Sequence, residues 1–479
     1  MSKREPHVLM PARSVPVPAD VDVVVAGGGF SGVCAAVAAA RAGASVALIE
    51  RDGMLGGQAA EIYAFGLDTV IDNNGRQLIR GLPWEIIQRT VAEGQSDPMW
   101  TEMDFQRMER EGIEAMMREQ GLDVSCKSYQ YLNPNAFRYV LQTMVDDEGI
   151  TPFLECPLTD VMRQGGRVTG VVAQGNYGSF AVAGKVVVDT TPHAGVAALA
   201  GRPFPHPEAY TGTHPRVAGV AIQRVLEYVC AHPDDVACVG VASPDLDSLT
   251  RLVERGIPLW MKGFRAVQQR GIADDPIFKM LGYGDPPYLM FFYDRDGCGT
   301  YWVHSNDWTR TRLDDPLHLS RTLAEMRKRQ WVTHKLFRDY VPGFEQAHLM
   351  DIHPHIARAL MISREPGGFT DCELPWEAIE QGGNVYEDSV ARIMGHPDKG
   401  QAADGFQLPY GSLLPKGLEG LLVTGKPACR FIHYHSTCAA VGQAAGVAAA
   451  VAALDNVLPR GVCVPKVQAE LQRQDSVVF

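Results

Sequence analysis

The stretch Gly27–Gly32 (GGGFSG) constrains this chain more than any other, because of what flanks it. Val21–Ala26 (VDVVVA) is a short β-branched run, the pattern of a strand buried on both faces of a parallel sheet. Ala35–Ala42 reads as an Ala-rich helix, and Ala44–Ile49 as a second buried strand ending at Glu50. Within this strand–helix–strand unit, Gly27, Gly29 and Gly32 satisfy GxGxxG. Gly27 permits the tight turn, Gly29 lets a pyrophosphate approach the backbone, and Gly32 lets helix and strand pack closely. The helix start, with Phe30 and Ser31, offers free N–H groups and a positive dipole end to phosphate. Glu50 follows Gly29 by 21 positions, where an acid accepts hydrogen bonds from an adenosine ribose. A glycine-rich turn without a ligand explains this order poorly.

Composition narrows the class. Of 479 residues, 46% are hydrophobic and 21% charged, so the chain builds a large core and is not disordered. A formal charge of −12 argues against nucleic acid as a partner, since phosphate contacts need clustered Lys and Arg. Ten cysteines occur with no CxxC spacing, the usage of reduced, buried thiols; no metal site is expected. Pro11, Pro16 and Pro18 stand where a signal peptide would be apolar. The uncharged run Phe431–Leu454 has the length of a membrane span, but its Ala, Gly and Gln443 suit a buried packing helix. The expectation is a cytoplasmic protein without a membrane span.

After Glu50 the chain runs ERDGMLGGQAAE, placing a second glycine pair, Gly56–Gly57, just beyond the ribose acid. Here it resembles FAD-dependent oxidoreductases of the glutathione-reductase-like superfamily, in the branch related to fumarate reductase and succinate dehydrogenase flavoproteins. The resemblance implies FAD as cofactor, with Arg51, Gly56, Gly57 and Gln58 passing the adenosine and the isoalloxazine. Several members of that superfamily join a His near this position to the flavin. Met54–Ala64 contains none, which argues against that linkage here. The implied fold is α/β: a Rossmann-like FAD-binding domain with a parallel sheet and β-meander, plus an inserted α+β substrate domain.

The other chain end carries the same resemblance. Phe406–Gln443 (GFQLPYGSLLPKGLEGLLVTGKPACRFIHYHSTCAAVGQ, from Gly405) is similar to the family's closing FAD motif. Leu421–Thr424 is expected to return as a strand beside the first βαβ unit, with Gly425 at the cofactor. Ser436 or Thr437 is expected to cap the last helix, whose N–H groups would face the flavin pyrimidine and favour negative charge there. Gly442 and Gly446 share one helix face and allow close packing on strands. The expected organisation is an FAD domain over 20–201 and 369–479 enclosing a substrate domain over 202–368.

Between the ends, Trp84–Glu93 and Glu102–Gln120 read as amphipathic helices, Gly112 weakening the second. Asn133–Pro134 starts a helix that runs to about Asp147. Strands follow at Thr151–Glu155, Leu158–Arg163, Val168–Gln174 and Phe180–Val188. This meander resembles the family's adenine-side hairpin, which assigns Val161 and Thr190 to the cofactor. The family continues with a motif like ATGDG; here it is Asp189-Thr190-Thr191-Pro192-His193, so Pro192 puts the loop's geometry in question. In the insert, helices are expected at Val217–Ala231, Leu246–Arg255 and Leu317–Tyr340. A hairpin pairs Tyr288–Tyr293 with Thr300–His304, its Leu289, Phe291 and Tyr293 facing either the core or the flavin. His353 and His355 alternate about Pro354 and face one side, a substrate-pocket pair more than a metal site.

The loop before the last helix, Phe431–Cys438 (FIHYHSTC), replaces an Arg-containing segment common in the family. It sets two histidines and a tyrosine beside the predicted flavin ring. His435 is the first candidate for acid/base work and His433 the second, ahead of Tyr434, His304 and His353. The plainer reading is that they hydrogen-bond flavin edges or backbone. The function expected is a dehydrogenase or oxidase of a small hydroxyl- or C–H-bearing molecule. Reduction of an activated double bond and flavin monooxygenation are the alternatives, and an RNA-modification scaffold sits badly with the acidic charge. No second βαβ fingerprint is present, so oxygen, a quinone or a carrier protein would take the electrons. Homo-oligomerisation is compatible with all of this.

Overall fold

The computed structural model describes residues 12–61, 70–72, 74–94, 100–122, 132–205, 208–212, 215–241, 244–265, 267, 269–270, 288–293, 297–304, 309–352, 357–360, 367–394, 404–432 and 434–479. Strand β1 (Ala19–Ala26) carries the β-branched run, and its last four residues are fully buried. It pairs in parallel with β2 (Val46–Ile49) on one side and with β6 (Gly178–Asp189) on the other. Between them runs helix α1 (Phe30–Arg41), whose Gly and Ala faces let it lie close to the sheet. β2 also pairs in parallel with β3 (Thr151–Phe153), and β18 (Leu421–Val423) pairs in parallel with β6. Residues separated by more than two hundred positions thus share one sheet, and both chain ends meet at its carboxyl edge.

β6 is long enough to serve two structures. Its second half joins the parallel sheet, while its first half closes an antiparallel meander with β4 (Leu158–Gln164) and β5 (Arg167–Gly175). The order β3-β2-β1-β6-β5-β4, with β18 branching from β6, is a parallel α/β sheet with a β-meander attached.

Helix packing on this sheet corrects one expectation. Gly442 and Gly446 lie on the buried helix His435–Leu454 and face helix α1, not strands. A Cβ on Gly442 would strike the Ser31 carbonyl, and one on Gly446 the Ala35 carbonyl. The pairings of 442 with 31 and 446 with 35 advance together, so the two helices run parallel at close approach. Among the described residues this is the one helix long and apolar enough to cross a membrane, and 83% of its most apolar window is buried inside the fold. Gln443 is also buried there, and its Oε1 accepts from Leu82 N (3.1 Å), holding the start of helix Gly81–Ala92.

Local signals explain several other elements. Asn133 caps the helix Pro134–Asp147 by accepting from Asn135 N and Ala136 N, with proline at the first helical position. The single helix expected over Glu102–Gln120 is two, Glu102–Glu111 and Ile113–Glu119, because Gly112 adopts φ 87°. The helix expected from Val217 begins at Ile222. Arg216–Ala218 is instead strand β8, and Gly219 turns the chain with φ 74°. The helices Leu246–Glu254 and Pro316–Tyr340 lie where the pattern places them.

The inserted segment carries its own six-stranded sheet, in which β8 and the hairpin β11 (Tyr288–Tyr293) and β12 (Gly299–His304) are inner strands. Phe291 and Tyr293 face a core, not a cofactor: Phe291 is fully buried and packs edge-on to Phe344 at 4.9 Å between ring centres. Burying such rings in a dry cluster is worth more than leaving them as an exposed wall.

Candidate cofactor and active site

The turn between β1 and α1 is shaped by steric limits on carbon. Gly27 has φ 109°, and a Cβ on Gly32 would collide with the Gly27 carbonyl oxygen. Gly29 is different: a Cβ there would meet nothing within 4 Å, so its backbone faces open space at the helix start. That is a cradle in which a pyrophosphate would lie against unpaired N–H groups. The second glycine pair closes over it. Gly56 N donates to Gly28 O (2.9 Å), and a Cβ on Gly57 would sit 3.0 Å from Gly29 Cα.

Glu50 is buried at the end of β2, and its two oxygens accept from Gly28 N (2.5 Å) and Asp52 N (3.0 Å). Burial raises its pKa, and the two backbone donors oppose the rise. Each oxygen keeps a lone pair for a ribose hydroxyl. Arg51 is exposed and pairs with Asp52 at 3.1 Å, while Gln58 is half-buried on the short helix Gly57–Glu61. Phe30 is buried, edge-on to Phe137 at 5.1 Å. Val161 is half-buried on β4 opposite Val171.

The Asp189–His193 loop stays tied to the glycine turn despite Pro192. Thr190 Oγ1 lies 2.9 Å from Ala26 O and 2.8 Å from Gly27 O, locking the loop to the glycine turn. Asp189 accepts from Thr191 N, Thr191 Oγ1 and Ala197 N, and burial pushes its pKa up to about 6. Its carbonyl takes Thr424 N (3.1 Å), which fixes β18 beside it.

From the other end of the chain, Thr424 Oγ1 accepts from Ser31 Oγ (3.2 Å), so the first and last cofactor motifs touch. Gly425 follows with φ 62° and opens a single helical turn. The expected cap is corrected here. Helix His435–Leu454 is capped by Tyr434, whose carbonyl accepts from Cys438 N, and no side chain caps it. Ser436 and Thr437 lie buried inside its first turn, Thr437 Oγ1 donating to Met394 O (3.1 Å).

His435 is therefore the first helical residue, and its position follows from the packing. Gly442 abuts Ser31, so His435, seven residues earlier, stands roughly 10 Å further along the axis at 1.5 Å per residue. Because the helices are parallel, that displacement carries it beyond the N-terminal end of α1. The half-buried imidazole has its pKa lowered to about 4 by burial, so it is neutral at physiological pH. Tyr434 is beside it, half-buried. His433 and His353 lie outside the described residues. His304 ends β12, and its side chain lies outside them too.

Two residues that sequence reasoning passed over stand just ahead of His435. Lys426 and Arg430 are both buried in a pocket whose walls include Phe204, Phe369 and Phe431. Arg430 reaches Glu373 at 3.3 Å and stacks over the Phe431 ring at 4.5 Å. The signal in the sequence was two cations within TGKPACR, next to a glycine already assigned to the cofactor.

The sequence pattern of FAD-dependent oxidoreductases matches residues 22–360 and 387–471, which takes in both glycine motifs and the sheet between them. The chain belongs to that family. FAD is accordingly its cofactor, and the Gly29 cradle and Glu50 fit a dinucleotide. Solved structures that the chain is similar to share little sequence with it. A geranylgeranyl bacteriochlorophyll reductase-like protein from Thermoplasma acidophilum is 13% identical, over 95% of this chain and 82% of that chain, with a TM-score of 0.43. GidA of Aquifex aeolicus is 16% identical over 91% of this chain and 64% of that chain, TM-score 0.44. An L-amino acid deaminase from Proteus vulgaris, with an insertion deleted, is 13% identical over 94% and 92%, TM-score 0.40. No curated protein matches the chain.

Proposed function

We propose that this FAD-dependent oxidoreductase is a dehydrogenase or oxidase of a small organic molecule, and that His435 manages the proton. FAD, when bound, would supply the two-electron redox chemistry. The chain's own residues do the rest. Gly27, Gly29, Phe30, Ser31 and Gly32 would hold the pyrophosphate, Glu50 the ribose, and Gly56, Gly57, Gln58, Thr190 and Gly425 the remaining length of the cofactor. The first turn of the helix beginning at His435 would place its N–H groups near the flavin pyrimidine.

The observation that carries the reading is the position of His435, beyond the pyrophosphate cradle on a parallel helix. A neutral imidazole there can accept a proton from a substrate hydroxyl or carbon as hydride leaves. The division into a split cofactor unit and a substrate unit over 202–368 goes with this proposal. So do oxygen, a quinone or a protein as electron acceptor, a cytoplasmic location and self-association.

The test is anaerobic mixing with panels of alcohols, amines and enoates while the flavin absorbance is followed. Bleaching by substrate alone is the expected result. A requirement for NADPH and oxygen, with an oxygen atom entering the product, points to monooxygenation instead and overturns the proposal. His435→Ala should keep its FAD and slow bleaching by roughly 100-fold or more. Unchanged turnover per bound FAD would remove His435 from the chemistry.

A further inference from the structure

Helix Pro316–Tyr340 has 25 residues and two faces that differ in kind. Its inner face, with Thr322, Met326, Gln330, Thr333 and Phe337, is buried. Phe337 packs against Phe264 at 4.9 Å and Phe344 at 5.0 Å between ring centres, so the helix is fixed against rolling about its axis. Whatever lies on the opposite face is therefore held outward by the core.

That outer face carries Leu317, Arg321, Lys328, Trp331, Lys335 and Arg338, all exposed. At about 100° per residue these six fall within an arc of roughly 100°, which makes one stripe along the helix. From Arg321 to Arg338 it runs roughly 25 Å at 1.5 Å per residue. The whole helix holds six Lys and Arg against Glu325 and Asp339, a charge of +4 within a chain of −12. Lys328 meets Glu325 at 2.8 Å, whereas Arg321 and Lys335 meet no carboxylate among the described residues. Amid these cations Trp331 is 61% exposed, and Leu317 at the start of the stripe is 59% exposed.

A basic face that only solvates the protein has no use for an indole in water. A straight, convex ridge of cations around an amphipathic ring is shaped for a charged plane, where indoles settle at the level of lipid headgroups. We infer that the stripe Leu317–Arg338 docks the protein on a membrane surface rich in anionic lipid, with Trp331 and Leu317 at headgroup depth. The cations would meet lipid phosphates, and their aliphatic stems would cover the indole. The remainder of the chain is net acidic and is repelled by the same lipid, so this face sets the orientation. The inference goes beyond the proposed oxidation and stands without it.

Sedimentation of the FAD-loaded protein with vesicles is the test. Binding to phosphatidylcholine vesicles containing about one third phosphatidylglycerol should be roughly tenfold or more tighter than to phosphatidylcholine alone. Salt at about 0.5 M should release the protein. Arg321→Gln, Lys328→Gln and Lys335→Gln together should weaken attachment roughly a hundredfold, at about fivefold per cation, with FAD content and urea midpoint kept. Trp331→Ser should weaken it severalfold and abolish the blue shift of tryptophan emission that anionic vesicles produce. No attachment, equal attachment to neutral vesicles, or wild-type attachment of the triple variant overturns the proposal. Tight binding of polyglutamate, with tryptophan emission unmoved by vesicles, assigns the stripe to an acidic protein and overturns it as well.

Discussion

The turn Gly27–Gly32 and the loop Gly425–His435 each lead into a helix start, yet they are specified by different physics. In the first, backbone meets backbone: Gly32 leaves no room for a Cβ, and Gly29 leaves its amide face open. In the second, side chains decide: Lys426 and Arg430 are buried with Glu373, and His435 is held neutral by burial. A site made of backbone is written in the positions where carbon is missing. One made of buried charges depends on what the rest of the chain brings to it.

The comparison can be broken most forcefully at the glycines. Gly32→Val should destabilise the protein by about 3 kcal/mol or more, because its clash is with rigid backbone. Urea unfolding and the FAD content of the purified protein would measure it. A variant with wild-type midpoint and full flavin would show that the turn tolerates a side chain. Gly446→Val, which meets the Ala35 carbonyl, should cost a similar amount through the helix pair.

Next in size is Glu50→Gln. It removes a charged acceptor from Gly28 N and from the ribose site, and FAD affinity should fall by roughly tenfold to a hundredfold, consistent with about 1.5–3 kcal/mol for a hydrogen bond to a charged group. Equilibrium dialysis against FAD checks it, and an unchanged Kd would take Glu50 out of cofactor binding.

Asp189 sharpens the comparison through pH. Its folded pKa, about 6, is above its unfolded value near 3.8, so its contribution to stability is complete below the unfolded value and is lost as pH rises toward 6. The urea midpoint should therefore carry a downward component between about pH 4 and pH 6 that Asp189→Asn abolishes. The same slope in the variant would mean that other groups produce it. The smallest effect belongs to Ser31→Ala, which cuts the side-chain hydrogen bond from Ser31 to Thr424 at 3.2 Å. It should cost about 1 kcal/mol by thermal or urea unfolding; a loss several times larger would reveal a tighter junction than this hydrogen bond describes.

Legibility in the sequence followed the same division. The strand β1, the helix α1 and Glu50 at the end of β2 were readable because periodicity and glycine spacing are local signals, whereas the return of β18 was implied by the family resemblance. The helix capped by Asn133 was readable for the same reason. Val217 belongs to a strand, Arg216–Ala218, too short for its β-branched residue to outweigh the helical pattern that follows it. Ser436 and Thr437 looked like caps by residue type, but burial of the first turn makes Tyr434 the boundary.

What the sequence determined by itself was the first strand–helix–strand unit and its dinucleotide turn, since each rests on residues a few positions apart, while the meeting of the two chain ends was implied by the family resemblance. Only the tertiary structure decided that Gly442 and Gly446 pack on a helix, that Phe291 faces a core, and that Lys426, Arg430 and Glu373 share one pocket. The reason is physical: steric permission travels with a residue, whereas the energy of a buried ring or charge belongs to its neighbours, and those are chosen by the fold.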